Sequence, residues 1–286
     1  MNVTAGDLSH MVEHLVDVFL YLPIQRAVIA CLLCGIGCSV LSVFVVLMKM
    51  PLIGVSMSHA AFAGAVLGML LDINPFLSGF VVCLFAASVL GPISDRTDMA
   101  PENVLGIMFS LLMGVAFLGM GILTRTKAGA LNLMWGSMLS LSSTDIAVLT
   151  VVTAILLCFV CLFFKEIRSI LFNRQLAGAS GVPARLIYYV LLFLTGAVVS
   201  SNLATVGGLL IFALLVQPGA TALQLTYNLK NFFIISAASG VGACVSGLLV
   251  SYIFDLPSGA SVVVMATIIF AVAYVFSPKR RFKANK

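Results

Sequence analysis

Charge is what this sequence has least of. Asp, Glu, Lys and Arg make up 9% of its 286 residues, against about a quarter in a soluble domain. That leaves too little polar surface for a water-facing exterior. Long loops are also missing, so no separate soluble domain is expected. A disulfide framework is excluded by the odd count of seven Cys, all inside apolar runs, where thiols act as small buried hydrophobes. No GxxxxGK[ST] phosphate loop occurs, so ATP has no visible site of that kind. HExxH, zinc-finger spacing and GxSxG are absent too, so no enzyme chemistry is legible. Low-complexity linkers, heptads and short repeats are likewise missing, and no internal duplication is evident.

Apolar sequence is what remains. Hydrophobic residues are 62% of the chain, with mean hydropathy +1.19. A bilayer core needs about 20 apolar residues per helix. Nine runs stand out: 20–47, 53–71, 75–93, 103–123, 146–164, 186–204, 206–222, 231–253 and 260–277. The seventh is short, follows the sixth across Gly207 and Gly208, and runs into Gln217-Pro218-Gly219. It reads as a half-helix that turns back inside the protein, where irregular backbone must be buried or line a cavity. The expected fold is therefore all-α: a polytopic membrane helix bundle of eight or nine spans with a half-helix near 206–222. Residues 1–19 hold Asp7, Glu13 and Asp17 but no Lys or Arg, unlike a secretory leader, and read as an amphipathic lead-in. Residues 20–278 form the transmembrane domain, and 279–286 a basic tail.

A cytoplasmic C-terminus places Lys49, Arg96, Lys165, Arg168, Arg174, Arg185, Lys230 and the five basic tail residues inside. That accounts for twelve of the fifteen Lys and Arg. Arg26, Arg125 and Lys127 fall outside, together with Asp72, Asp145 and Asp255. The positive-inside rule favours this orientation in a plasma (inner) membrane.

The chemistry-bearing residues lie within the apolar runs. In Gly54-Val55-Ser56-Met57-Ser58-His59-Ala60-Ala61-Phe62-Ala63-Gly64, His59 is the one ionisable side chain well inside a span. Such a group marks a pathway or a site, or else bridges two helices by a hydrogen bond. Imidazole suits Zn, Mn or Fe. Ser56 lies three residues before it on one face, with Met57 and Ser58 between, so these four are the candidate metal pathway. Cys31, Cys34 and Cys38 share a stripe of another helix, and packing is the better account of them. Asp255, in Asp255-Leu256-Pro257-Ser258-Gly259, and Asp72 could draw cations to an outer mouth or be plain turn residues. The longest inside connection, from Phe172 to Pro183, reads as a basic loop.

In order and spacing these pieces resemble the permeases of zinc, manganese and iron ABC importers, the ABC-3 type. The resemblance rests on Ser58-His59-Ala60, Glu102 to Ile107, Trp135-Gly136-Ser137, the Phe172–Gly181 loop, Gly207–Ala222 and Asp255–Gly259. It covers most of the chain. It implies a transport subunit, not an enzyme, with no cofactor beyond the transported ion. Its implied partners are cytoplasmic ATPase subunits, an extracytoplasmic metal-binding protein, a second permease copy or sister permease, and membrane lipid; no nucleic acid is implied. By distant similarity to siderophore and cobalamin permeases, ATPase coupling maps to Pro218–Lys230, including Gly219, Thr221 and Tyr227. Asn173 and Arg174 face the same side. Two positions depart from the family: Ser56 stands where an acidic residue is usual, and Asn173 where Asp is usual. A siderophore- or cobalamin-type permease and a stand-alone secondary carrier are the rival readings. The first needs a wider pathway, and the second usually buries Asp, Glu or Lys, which these spans lack.

Overall fold

The structure is a computed structural model and describes residues 21–97, 99–123 and 141–278. The lead-in 1–19, Arg125, Lys127, Trp135-Gly136-Ser137 and the basic tail lie outside the described residues. Within them the chain forms α-helices and no strand: α1 (Leu22–Leu47), α2 (Leu52–Leu70), α3 (Pro75–Thr97), α4 (Pro101–Ile122), α5 (Ser143–Leu162), α6 (Phe164–Phe172), α7 (Arg174–Ala179), α8 (Ala184–Val206), α9 (Gly208–Leu225), α10 (Leu229–Phe254) and α11 (Ser258–Val275). Eight of these are long and apolar enough to cross a membrane. The expected membrane bundle is observed, and each apolar run has its helix.

Local chemistry sets the helix ends. Proline opens α1, α3 and α4, where its missing N–H would have no partner in any case. Ser142 and Asp145 form a reciprocal capping box at α5. Helices α1, α2 and α10 end alike: the amides of Met50, Ile73 and Leu256 reach back to the carbonyls of Val45, Gly68 and Ser251. Each needs one left-handed residue, supplied by Lys49, Asp72 and Asp255, with φ of 57°, 54° and 52°.

The connection read as a basic loop from Phe172 to Pro183 holds a short helix, α7, and another short helix, α6, leads into it. Helix α6 is amphipathic: it buries Ile167 and Ile170 and exposes Lys165 and Arg168. The Asn173 side chain then accepts from the amides of Gln175 and Leu176 and starts α7.

Helix α1 lies in the core against α5, α9 and α10, while α2 packs on α3, α4, α8 and α9. Very close approach joins α2 to α3. A Cβ on Gly79 would sit 2.6 Å from the Ala61 carbonyl oxygen, and one on Gly64 2.8 Å from the Gly79 Cα. Small residues allow backbones to meet this way in lipid, where dispersion replaces the hydrophobic drive. Large side chains such as Phe85, Leu118 and Ile253 face outward, as a lipid solvent requires. Cys158 and Cys161 do so too, on the periphery of α5, so two of the seven thiols are not buried as expected.

The seventh run starts inside the bundle. Gly207 turns the chain with φ 84°, and Gly208 then meets Ser58, the seventh residue of α2, where an added Cβ would sit 3.4 Å from the Ser58 Cβ. Twelve residues of α2, about 18 Å, extend beyond that level. Pro218 lies within α9, and the Gly219 amide donates to Ser42 Oγ at 2.7 Å.

One end of the bundle carries Lys49, Arg96, Lys165, Arg168, Arg174, Arg185 and Lys230, seven of the eight described Lys and Arg. Arg26 sits at the other end and donates to the Leu141 carbonyl and Ser143 Oγ, at 3.2 and 2.8 Å.

Candidate functional site

His59 occupies the seam between α2 and α4. Its ring meets the Phe109 ring edge-on, with centroids 5.0 Å apart and planes at 67°. The side chain is half-buried, and its Nδ1 is buried with no hydrogen-bond partner. A buried polar atom left unpaired costs about 1–3 kcal/mol, so this ring nitrogen is open to a ligand. It is not a histidine satisfied by a hydrogen bond from a neighbouring helix at that atom.

Ser56 shares this seam. It is fully buried, and its hydroxyl donates to the Leu105 carbonyl of α4 across 3.4 Å. Ser58 points elsewhere, toward the start of α9, and its hydroxyl donates to its own helix at Gly54, 2.8 Å away. Met57 is fully buried in the core. The four pathway candidates therefore divide: Ser56 and His59 face α4 together, whereas Met57 and Ser58 do not join them. Helical geometry explains the split, since neighbours in sequence turn about 100° apart and only residues three or four apart share a face. Among the described residues, no group of three or more His, Cys, Asp or Glu could hold a metal ion. At this seam the described residues present one imidazole, His59, and one hydroxyl, Ser56.

Asp72 and Asp255 are exposed in the turns at the less basic end, and their left-handed backbone accounts for both as turn residues. The coupling candidates divide as well. Pro218, Gly219 and Thr221 are buried within the bundle, so they present no surface to a partner. Tyr227 and Lys230 are exposed beside the α9–α10 joint, where the Asn228 side chain accepts from the Lys230 amide. Phe172 is 87% exposed next to Asn173. Three open clefts flank α6 and α7 at this end, of about 940, 370 and 830 Å³.

Asp95 is the residue that sequence reading missed. It sits at the basic end of α3 and accepts both terminal nitrogens of Arg174, at 3.0 and 2.8 Å. The Tyr189 hydroxyl donates to it at 2.7 Å, and Arg185 Nε lies 3.3 Å away. The Arg174 guanidinium also lies over the Tyr188 ring, 4.1 Å from its centroid. A carboxylate at the end of a span, facing a basic segment, was the available signal. The partner lies 79 positions away, beyond the reach of local pattern.

Lipid-length helices around a half-buried imidazole, with a basic end carrying an amphipathic helix, define an integral-membrane transport subunit. Residues 21–277 match the ABC 3 transport family, and the chain belongs to that family. It is 31% identical to the manganese transport system membrane protein MntC of Halalkalibacterium halodurans over 260 residues, 91% of this chain and 89% of that one. It is 28% identical to the chelated iron transport system membrane protein YfeD of Yersinia pestis, covering 94% of this chain and 90% of that one. In three dimensions it is similar to a chain of PsaBC from Streptococcus pneumoniae in complex with Fab. The TM-score is 0.83 at 27% identity, over 96% of this chain and all of that one.

Proposed function

We propose that this chain is the permease subunit of an ATP-binding-cassette importer that carries a divalent transition metal ion, Mn, Fe or Zn, into the cytoplasm. The observation that carries the reading is the buried, unpartnered Nδ1 of His59 in the α2–α4 seam. Metal transport is named for the relatives MntC and YfeD. The positive-inside rule assigns the basic end to the cytoplasm and the turns of Asp72 and Asp255 to the outer face of a bacterial inner membrane.

In this reading an extracytoplasmic metal-binding protein releases the ion at the outer face. The ion then passes His59 and the Ser56 hydroxyl, its remaining positions filled by water or by a second permease copy. A sparse ligand set suits transport, because the ion must leave as readily as it enters. Cytoplasmic ATPase subunits dock on Phe172, Asn173, Tyr227 and Lys230 around α6 and α7. Pro218, Gly219 and Thr221 act from inside, by setting the course of α9. Among the described residues no Asp, Glu or Lys is buried deep in a span, which favours ATP-driven movement over ion-coupled exchange.

The test is uptake of radiolabelled manganese, iron and zinc by metal-starved cells expressing the whole transporter, with His59→Ala and His59→Phe compared with the parent. Both substitutions abolish uptake while the complex still assembles. Parental uptake by both variants at equal membrane abundance refutes the assignment.

A further inference from the structure

The carboxylate of Asp95 gathers more partners than any other charged group described. Arg174 of α7 grips it with two nitrogens, Tyr189 of α8 donates to it, and Arg185 of α8 approaches it. A bidentate guanidinium–carboxylate pair fixes direction as well as distance. Arg174 is held on its other side by the Tyr188 ring, and the Tyr188 hydroxyl contacts Met50 Sδ at 3.5 Å, in the turn that leads into α2. Arg174 and Asp95 keep 31% and 19% of their side-chain surface. Bidentate geometry and a second arginine are the conditions under which a partly exposed pair holds two elements together. The cluster therefore fixes the geometry between α7, α8 and the basic end of α3.

The helix bearing Asp95 leads to His59. Cys83 lies twelve residues earlier on α3, about 18 Å along the helix. Its thiol is 3.4 Å from the Met57 carbonyl of α2 and 3.3 Å from the Gly196 carbonyl of α8. Gly79, a turn further on, meets the α2 backbone at Ala61. Helix α3 therefore runs unbroken in sequence from Asp95 past Pro92, where a proline inside the helix bends it, to Cys83 and Gly79. It is held at its basic end by α7 and touches α2 on both sides of His59.

We propose that Asp95 is a positioning residue for energy coupling. Through Arg174 it ties the α6–α7 segment to α3, and so passes displacement of that segment to the His59 stretch of α2. This rests on the permease reading above.

The experiment reconstitutes the complete transporter, with its ATPase subunits and metal-binding protein, in proteoliposomes. Metal uptake and ATP hydrolysis are measured together for the parent, Asp95→Asn, Tyr189→Phe and the exchange pair Asp95→Arg with Arg174→Asp. Metal imported per ATP falls about tenfold in Asp95→Asn, within the usual range for coupling between sites, while hydrolysis continues. Tyr189→Phe, which removes one hydrogen bond, gives a smaller loss of the same kind and stands in should Asp95→Asn fail to assemble. The exchange pair regains part of the lost ratio. A ratio equal to the parent's in Asp95→Asn, or in Tyr189→Phe where it stands in, overturns the proposal. So does uptake and hydrolysis falling in step with the amount of complex. If the parent complex itself imports no metal, the permease reading fails first, and the two failures are distinct.

Discussion

The Gly219 amide and the Ser42 hydroxyl meet at 2.7 Å, and the backbones of α9 and α1 are too close there for any side chain on residue 219. The cause is one residue earlier. Pro218 sits inside α9 and has no amide to give the helix ladder, which bends such helices. Its neighbour's amide is then satisfied from α1, as membrane helices do when neighbours supply the missing partner.

Gly219→Ala follows directly. An added Cβ would lie 2.5 Å from the Ser42 carbonyl oxygen and 2.6 Å from its hydroxyl. Overpacking of this kind costs about 1–3 kcal/mol. Ser42→Ala instead leaves a buried amide without a partner, also about 1–3 kcal/mol. Combining the two does not rescue Gly219→Ala, because the clash with the backbone oxygen remains. Thermal unfolding in detergent checks all three: both single variants melt below the parent, and the double variant no higher than Gly219→Ala.

Ser56→Asp separates a metal site from a packing position. Ser56 is fully buried beside His59 and donates to the Leu105 carbonyl. An ionised carboxylate there is desolvated and faces a carbonyl oxygen, both unfavourable. A divalent ion shared with His59 would offset this. The expected result is a melting temperature below the parent's without metal, and a larger rise than the parent's on adding manganese or zinc, as ligand binding to the folded state requires. An equal rise in both proteins would mean that residue 56 faces no ion.

Much of this architecture was legible because lipid leaves few options. In a chain with 9% charged residues, long continuous apolar runs fit membrane helices rather than the alternating strands of a barrel, and the runs set the order of the helices. Gly207 and Pro218 marked α9 as irregular, and the structure places its start at Ser58, inside the bundle. The Phe172–Pro183 connection reads as a loop because the helix within it, α7, is six residues long and buries only Ala177, too short to show a period. The division of Ser56 and His59 from Met57 and Ser58 follows from helical phase, yet which neighbour each face meets depends on packing. The Asp95–Arg174 pair was invisible for the same reason: it joins two ends that only tertiary structure brings together.

Gly79→Ala is the matching test of the α2–α3 seam. The new methyl would lie 2.6 Å from the Ala61 carbonyl oxygen, and neither backbone can give way as a flexible side chain would. Gly114 on α4 has nothing within 4 Å of an added Cβ. In the isolated chain Gly114→Ala should leave stability unchanged or raise it by up to about 1 kcal/mol, the ordinary helix preference for Ala. Gly79→Ala should melt well below the parent. Thermal unfolding of the two variants side by side gives the comparison, with the same residue change in both.

The sidedness of the bundle can be read from single cysteines. Phe172, Tyr227 and Lys230 are exposed at the basic end, and Asp72 and Asp255 at the opposite one. Charged thiol reagents act on thiols that meet water, so the native cysteines, buried in the bundle or on the lipid-facing side of α5, give a low background. Lys230→Cys and Phe172→Cys should react with a membrane-impermeant maleimide only after the inner membrane is opened. Asp72→Cys and Asp255→Cys should react in intact spheroplasts. Reversed labelling would turn the basic end outward, against the retention of Lys and Arg in the cytoplasm during insertion. It would also remove Phe172, Tyr227 and Lys230 from the reach of any cytoplasmic ATPase, and α6 and α7 would then need another partner.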